Sequence, residues 1–124
     1  MNAPQSPRST LALRRIALFE GLGEACLERI AAECDWRTVE ARTPLFTRAS
    51  PGGEVYFLCA GRARITTYAA SGREVTFRDC EAGEHFGDLS AIDGQPRSAD
   101  VVALDACVLA SLSAPAFIAM LERE

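Results

Sequence analysis

The sequence predicts an α+β domain in which helix-forming regions flank an antiparallel β-barrel, sandwich or roll. Short strand-like runs follow one another between residues 37 and 112, at spacings of roughly 8–12 residues that are typical of such β folds. Amphipathic segments precede these runs, and an apolar segment with a helix cap follows them. The length of 124 residues is that of one domain with a single core.

Two helices are expected before the first strand. Prolines and serines are frequent in residues 1–9, which predicts a disordered leader and places the domain at residues 10–124. Ser9 and Thr10 can cap a first helix that extends through residues 11–19. After the glycines that end it, apolar side chains at i, i+3 and i+4 spacing predict a second helix over residues 24–34.

Seven strand-like runs follow, bounded by turn residues such as Pro44 and the segment 50–53. They cover residues 37–40, 45–48, 54–60, 62–68, 73–80, 99–104 and 107–112. The one long interruption of the β pattern, residues 86–97, is where such a fold would have to open and where a ligand could enter. Ser113–Pro115 then supplies a cap and a first-turn proline for a closing helix over residues 116–124.

The composition indicates a globular protein of the cell interior. The net charge is −4 and all thirteen basic residues are arginines scattered along the chain, so we expect no direct binding to nucleic acid. No apolar run approaches the roughly 20 residues that span a bilayer, and residues 1–9 lack the apolar core of a secretory signal. We therefore expect a cytoplasmic protein that does not associate with a membrane.

The cysteines and the single histidine show no pattern of a metal or catalytic site. Five cysteines are present and no two lie within three residues of each other, so neither a zinc pair nor an iron–sulfur motif occurs. Cys59 and Cys107 lie in apolar runs and are expected to be buried. His85 has no partner at catalytic or ligand spacing and is expected on an exposed loop. We predict no enzymatic activity, no metal and no cofactor.

The segment from Gly83 to Ala99 contains the residue types that bind a phosphate joined to a ribose. Gly87 and the helix-forming run after it supply free backbone N–H groups, and the positive end of a short helix attracts an anion. Arg97 adds a planar, charged fork that matches two phosphate oxygens. Asp88 is suited to accept a hydrogen bond from a ribose 2′-hydroxyl. These residues indicate a site for a cyclic nucleotide.

The chain resembles the cyclic nucleotide-binding domain of catabolite activator-type regulators, cyclic-nucleotide-gated channels and kinase regulatory subunits. The resemblance covers most of the chain, beginning at residues 16–22 and continuing through 55–64 and 72–75. It is strongest in Phe86–Ala91 together with Pro96–Ala99, which resembles the phosphate-binding cassette of that family. It implies an eight-stranded antiparallel β-roll of the double-stranded β-helix (jelly-roll) type, with the nucleotide between the sheets and the cassette helix.

Carried over by position, the resemblance implies a ligand site of seven residues. They are Gly87, Asp88, Leu89, Ser90, Arg97, Ser98 and Ala99. Arg97 would pair with the cyclic phosphate, Ser98 would donate its hydroxyl to the phosphate or the base, and backbone N–H groups would complete the anion cradle. Asp88 would accept the ribose 2′-hydroxyl, although many relatives carry glutamate there; losing that bond would weaken binding by roughly tenfold to a hundredfold.

Plainer interpretations of the same residues stay open. Arg97 could be a surface arginine that follows a proline turn, Asp88 could be the N-cap of the short helix after it, and Ser98 could bond to neighbouring backbone. Val75 and Phe77 could line a pocket for the base, although a half-buried strand would show the same pattern.

The resemblance implies a sensor that binds 3′,5′-cAMP, or with lower preference cGMP, and relays its occupancy to an effector domain or protein outside this sequence. The closing helix, with Phe117, Ile118 and Leu121 as apolar anchors, is the expected transmitter. Pairing of two copies is a further expectation. Because the family's domain is usually followed by a long lid helix and this sequence ends at Glu124, we expect a domain without that lid. The alternative is a nucleotide-independent interaction or dimerisation module with a vestigial pocket.

Overall fold

Two four-stranded sheets and four α-helices make up the part of the chain that the structure describes. The computed structural model describes residues 7–69, 71 and 75–124. The helices are α1 (Pro7–Arg14), α2 (Glu24–Glu33), α3 (Asp88–Asp93) and α4 (Ala114–Arg123), with a 3₁₀ helix at Ala17–Phe19. The strands are β1 (Asp35–Val39), β2 (Pro44–Phe46), β3 (Val55–Ala60), β4 (Arg62–Tyr68), β5 (Val75–Glu81), β6 (His85–Phe86), β7 (Ala99–Ala103) and β8 (Cys107–Leu112).

The two sheets are antiparallel throughout and pack on each other. One has the strand order β1-β8-β3-β6 and the other has the order β2-β7-β4-β5. Side chains from both sheets, among them Leu58, Leu109, Ala63 and Val101, form one buried apolar cluster. The predicted fold class is therefore confirmed: an eight-stranded antiparallel β-roll with helices before and after it.

Strand β3 is buried on both of its faces. Val55, Phe57 and Cys59 belong to a cluster shared with the helices, whereas Tyr56 and Leu58 belong to the cluster between the sheets. Successive side chains of a strand point to opposite faces, so this strand connects the two clusters. This double burial explains why its sequence is continuously apolar and does not alternate.

Helix α1 begins earlier than the sequence predicted. The predicted leader covered residues 1–9, but the helix starts at Pro7, because a proline's fixed φ and missing N–H suit the first helical turn. Ser9 and Thr10 consequently lie inside the helix and not at its cap. Residues 1–6 of the predicted leader lie outside the described residues.

The first predicted helix is also interrupted before its expected end. Helix α1 stops at Arg14, and Ile16 has an extended conformation before the 3₁₀ helix begins. The N–H of Ala17 donates to the carbonyl of Gly83 at 2.9 Å, so the loop before β6 replaces the helical acceptor. By contrast, α2 ends within one residue of its predicted boundary.

The eighth strand, β6, was not predicted from the residue pattern. Two residues are too short to show an alternation, and the sequence runs accounted for only seven strands. Phe86 pairs with Tyr56, and His85 pairs with Phe57 on the neighbouring strand β3. The expectation that His85 lies on an exposed loop is therefore wrong.

All five cysteines are buried and none forms a disulfide bond. The burial confirms the prediction for Cys59 and Cys107. Burial raises the pKa of Cys34 to about 12, that of Cys59 to about 11 and that of Cys80 to about 12, so these thiols stay protonated at neutral pH. Within the described residues, no group of three or more potential metal ligands occurs. No helix in that part of the chain is long and apolar enough to cross a bilayer.

Helix α4 has the predicted cap. The Oγ of Ser113 accepts a hydrogen bond from the N–H of Ala116 at 3.2 Å, and proline lies in the first turn. The helix begins at Ala114, two residues before its predicted start. Phe117 and Met120 bury its inner face in the cluster shared with the other helices.

Candidate functional site

A cavity of about 210 Å³ lies between helix α3, strand β6 and the sheet β2-β7-β4-β5. All seven residues predicted for ligand binding line it: Gly87, Asp88, Leu89, Ser90, Arg97, Ser98 and Ala99. It is also lined by seven residues that were not predicted: Phe46, Ile65, Thr67, Arg78, His85, Phe86 and Val101. The structure thus brings the predicted residues together at one site, while their contacts with a ligand remain a prediction.

Arg97 is the buried cation of this cavity, with 5% of its surface exposed. Its Nη1 donates to the carbonyl of Gly87 at 3.0 Å, and its Nη2 donates to the carbonyl of Glu54 at 2.8 Å. The guanidinium carbon lies 4.1 Å from the centre of the Phe46 ring, a distance at which the ring quadrupole attracts a cation. The interpretation of Arg97 as a surface arginine is therefore wrong.

No carboxylate among the described residues forms an ion pair with Arg97. The Nε atom is buried and has no hydrogen-bond partner there, and the two bonds that the side chain makes go to neutral backbone carbonyls. Burial lowers the pKa of Arg97 because the charged form loses hydration, but arginine is not deprotonated in proteins. The cavity therefore contains a buried positive charge with an unused donor, an arrangement that suits an anion.

The loop before β3 holds the backbone of Arg97 in place. The N–H of Arg97 donates to the carbonyl of Ser50 at 2.9 Å, and its carbonyl accepts from the N–H of Ala49 at 2.8 Å. Ala49 has a positive φ of 71°, a conformation that L-residues adopt at a cost. These two backbone bonds, together with the two side-chain bonds, orient Arg97 from several segments of the chain.

Position 87 requires glycine for two independent reasons. Gly87 has a φ of 89°, in the left-handed region, where a side chain is strained. A Cβ built at this position would lie 2.9 Å from Arg97 Nη1 and 2.9 Å from the carbonyl oxygen of Glu54. The missing side chain therefore leaves the room that the guanidinium occupies.

Asp88 is the first residue of α3, and Gly87 occupies the N-cap position before it. The interpretation of Asp88 as the N-cap is therefore wrong. Its Oδ2 instead lies 3.5 Å from Nε2 of His85 on strand β6. Sequence reasoning missed this neighbour because it assigned His85 to a loop.

The remaining predicted residues of the cavity differ in how far they are buried from solvent. Ser90 is buried, and a Cβ at Gly52 would lie 2.4 Å from the Ser90 Cβ, so a glycine there lets the loop before β3 pack closely on α3. Ala99 is buried at the start of β7 and pairs with Thr67. Leu89 and Ser98 are exposed.

Strand alternation explains which strand residues line the cavity. On β5, Arg78 lines it, whereas Val75 and Phe77 do not and are 48% and 62% exposed. On β4, Ile65 and Thr67 line it, in agreement with the period of two. The alternation of side chains predicts which residues share a face of a strand, but not which face borders the cavity. Val75 and Phe77 were therefore candidates for the base pocket, and Arg78 was not.

A comparison with known families identifies the domain. The family model described as "Cyclic nucleotide-binding domain" matches residues 36–124, which run from the second residue of β1 through β8 and α4 and include the segment 86–99. The chain therefore belongs to the cyclic nucleotide-binding domain family, whose members are regulatory ligand-binding domains. The resemblance stated from the sequence is confirmed.

The relatives are proteins of which this chain matches only a part. An NTE family protein of Mycobacterium tuberculosis is 33% identical over 111 residues, or 90% of this chain and 18% of that protein. The cyclic AMP receptor protein of Thermus thermophilus is 27% identical over 106 residues, or 86% of this chain and 49% of that protein. The regulatory domain of Toxoplasma gondii PKA, solved with cAMP, has a TM-score of 0.83 at 21% identity and shares the fold over 92% of this chain and 44% of its own.

Proposed function

We propose that this chain is a sensor domain that binds a 3′,5′-cyclic purine nucleotide, with cAMP preferred over cGMP, and relays its occupancy to an effector. The observation that carries the proposal is the buried guanidinium of Arg97, which lines the cavity with an unpartnered Nε. Membership of the family supports it, as does the similarity to the cyclic AMP receptor protein of Thermus thermophilus.

The groups around the cavity fit a singly charged phosphate joined to a ribose. Arg97 offers the Nε donor and a charge that backbone carbonyls only partly compensate. The first-turn N–H groups of α3, those of Leu89 and Ser90, have no acceptor within the helix and can bond to the same anion. Ser98 and Ala99 also line the cavity and complete the proposed cradle. Asp88 accepts the ribose 2′-hydroxyl in this arrangement.

The relay would pass from α3 to α4. Ala91 of α3 and Phe117 and Met120 of α4 belong to the same buried cluster, so a displacement of the cassette helix changes the packing of the last helix. Ligand binding would then act as a population shift between two positions of these helices. The effector is a domain or protein other than the residues described here.

A nucleotide-independent interaction module is the less favoured interpretation. Burying an arginine whose charge has no carboxylate partner among the described residues is costly, and a vestigial pocket would gain nothing from retaining it. Binding of an anion would compensate for the cost of burying this charge. We propose further that the bound nucleotide leaves the site chemically unchanged.

Calorimetric titration of the chain with cAMP, cGMP and the linear nucleotide 5′-AMP tests the proposal. We expect saturable binding of cAMP, weaker binding of cGMP and still weaker binding of 5′-AMP. Arg97→Gln should weaken cAMP binding by roughly a hundredfold or more, because it removes charge-assisted hydrogen bonds to the phosphate. The matched control is Arg64→Gln, the same change at an arginine that pairs with Asp79 outside the cavity; its cAMP affinity should stay within about twofold of wild type.

Three results would contradict the proposal. No heat from any cyclic nucleotide at millimolar concentration would reject the sensor function. Binding that survives Arg97→Gln in a folded variant, as judged by circular dichroism, would place the phosphate elsewhere. Conversion of cAMP to 5′-AMP during incubation, measured by chromatography, would reject the non-enzymatic role.

A further inference from the structure

His85 lies opposite Asp88 at the edge of the cavity and has no role in the function proposed so far. Its Nε2 is 3.5 Å from Oδ2 of Asp88, which is long for a strong hydrogen bond but close enough for an ion pair when the imidazole is protonated. Among the described residues, His85 is the one polar partner of this carboxylate.

The other charged groups around His85 are engaged with one another. Arg78 from β5 and Glu84 from the turn before β6 share a second hollow with His85 and Asp88. Oε1 of Glu84 accepts from Nη1 of Arg78 at 2.9 Å, and its Oε2 accepts from the N–H of Glu81 at 3.1 Å. Since both oxygens of Glu84 are occupied, Asp88 is the carboxylate left for His85.

The imidazole is also held from the side of the core. The centre of the Phe57 ring on β3 lies 6.3 Å from that of His85, and His85 itself is a paired residue of β6. The side chains of His85 and Asp88 are 28% and 38% exposed, so solvent reaches both but does not surround them. A histidine fixed in a strand can thus orient a carboxylate on the neighbouring helix.

We propose that His85 is a positioning residue that holds Asp88 ready to accept the ribose 2′-hydroxyl, and so sets discrimination between ribose and 2′-deoxyribose ligands. This inference rests on the proposed function. A carboxylate has two acceptor oxygens; with Oδ2 directed to His85, Oδ1 is available to the ligand. Fixing the side chain before binding reduces the entropy lost when the ligand orders it.

The ratio of the affinity for cAMP to that for 2′-deoxy-cAMP isolates this role of His85. Both ligands carry the same phosphate, so effects of a substitution on phosphate binding cancel in the ratio, and a change in the ratio reports on the contact with the 2′-hydroxyl.

Calorimetric titrations of cAMP and 2′-deoxy-cAMP on the whole chain test the inference. Wild type should prefer cAMP by about tenfold or more, and Asp88→Asn should lose most of that preference. His85→Leu removes the imidazole donor and should reduce the ratio by about threefold to tenfold. His85→Gln retains an amide donor and should keep most of the ratio. Arg64→Gln is the matched control and should leave the ratio unchanged.

The outcomes separate this inference from the function on which it rests. If cAMP binds but the ratio is near one in wild type, or is unaltered by His85→Leu, the inference is wrong and the sensor function stands. If neither cyclic nucleotide binds wild type, both are wrong. Thermal unfolding of each variant shows whether it is folded. If His85→Leu is not folded, His85→Gln decides: loss of the ratio in this variant, which keeps a donor, overturns the inference, and a retained ratio supports it.

Discussion

Arg97 and Arg64 both place a guanidinium over an aromatic ring, but they differ in what neutralises it. Arg97 lies 4.1 Å from the centre of the Phe46 ring, and Arg64 lies 4.6 Å from that of Phe77. Nε of Arg64 donates to the carboxylate of Asp79 at 2.9 Å on the outer face of the sheet. Arg97 is buried, bonds to backbone carbonyls and leaves Nε unused.

This difference distinguishes a structural arginine from one prepared for a ligand. The pair between Arg64 and Asp79 is complete within the chain, and a pair whose side chains are only partly shielded from solvent contributes little to stability. The cavity arginine has its geometry fixed by the protein but its charge left without a carboxylate among the described residues.

Gly87→Ala should have the largest effect. The new Cβ would lie 2.9 Å from Nη1 of Arg97 and would displace the guanidinium, so cAMP affinity should fall by at least about tenfold. Gly94→Ala is the matched control, because Gly94 also has a left-handed conformation, with a φ of 74°, but has open space around it. Both variants should lose about 1–2 kcal/mol of unfolding free energy from backbone strain, and only Gly87→Ala should lose affinity. Equal affinities in calorimetry would show that the glycine does not make room for the binding group.

Replacing the aromatic rings should have a smaller effect. Phe46→Leu removes the ring beneath a buried guanidinium and should lower the unfolding free energy by about 1–2 kcal/mol. Phe77→Leu removes an exposed ring beneath the half-buried guanidinium of Arg64 and should cost about 0.5 kcal/mol or less. Urea unfolding of both variants measures the difference, and the comparison fails if Phe77→Leu proves the more destabilising.

The smallest effect concerns acid stability. The hydrogen bond from Arg64 lowers the pKa of Asp79 below its ordinary value of 3.8, so this carboxylate stabilises the folded state above that value and loses its contribution as the pH falls below it. The stability difference between wild type and Asp79→Asn should therefore shrink on acidification through about pH 4 to 3 and also shrink in high salt. Chemical denaturation across this pH range measures it. The difference between wild type and Arg97→Gln should not follow that course, because no described carboxylate pairs with Arg97.

The parts of the fold with a repeating residue pattern were predictable, and the parts determined by tertiary contacts were not. Alternation and turn residues identified seven strands, and Ser113 with Pro115 identified the last helix. Strand β6 was missed because it exists only through its pairing with β3. The break after Arg14 was missed because the carbonyl that competes for the helical N–H lies far along the chain, at Gly83.

The site was predictable to the extent that its chemistry lies in one segment. Gly87, Asp88 and Arg97 are close in sequence, and their residue types alone indicate an anion site. The carbonyl of Glu54 that orients Arg97 could not be predicted, since every residue has a carbonyl. Phe46 and Ile65 were not predicted either, because a strand pattern does not tell which face will border a cavity.

The reactivity of the five buried cysteines can report where the structure opens locally. They lie in or beside α2, β3, β5 and β8, and a protonated, buried thiol reacts with an alkylating reagent only after its element separates from the core. Cys59 and Cys80 lie on strands of different sheets, in different apolar clusters. The relative labelling rates of these two thiols therefore reveal whether the roll opens as one cooperative unit or one layer at a time.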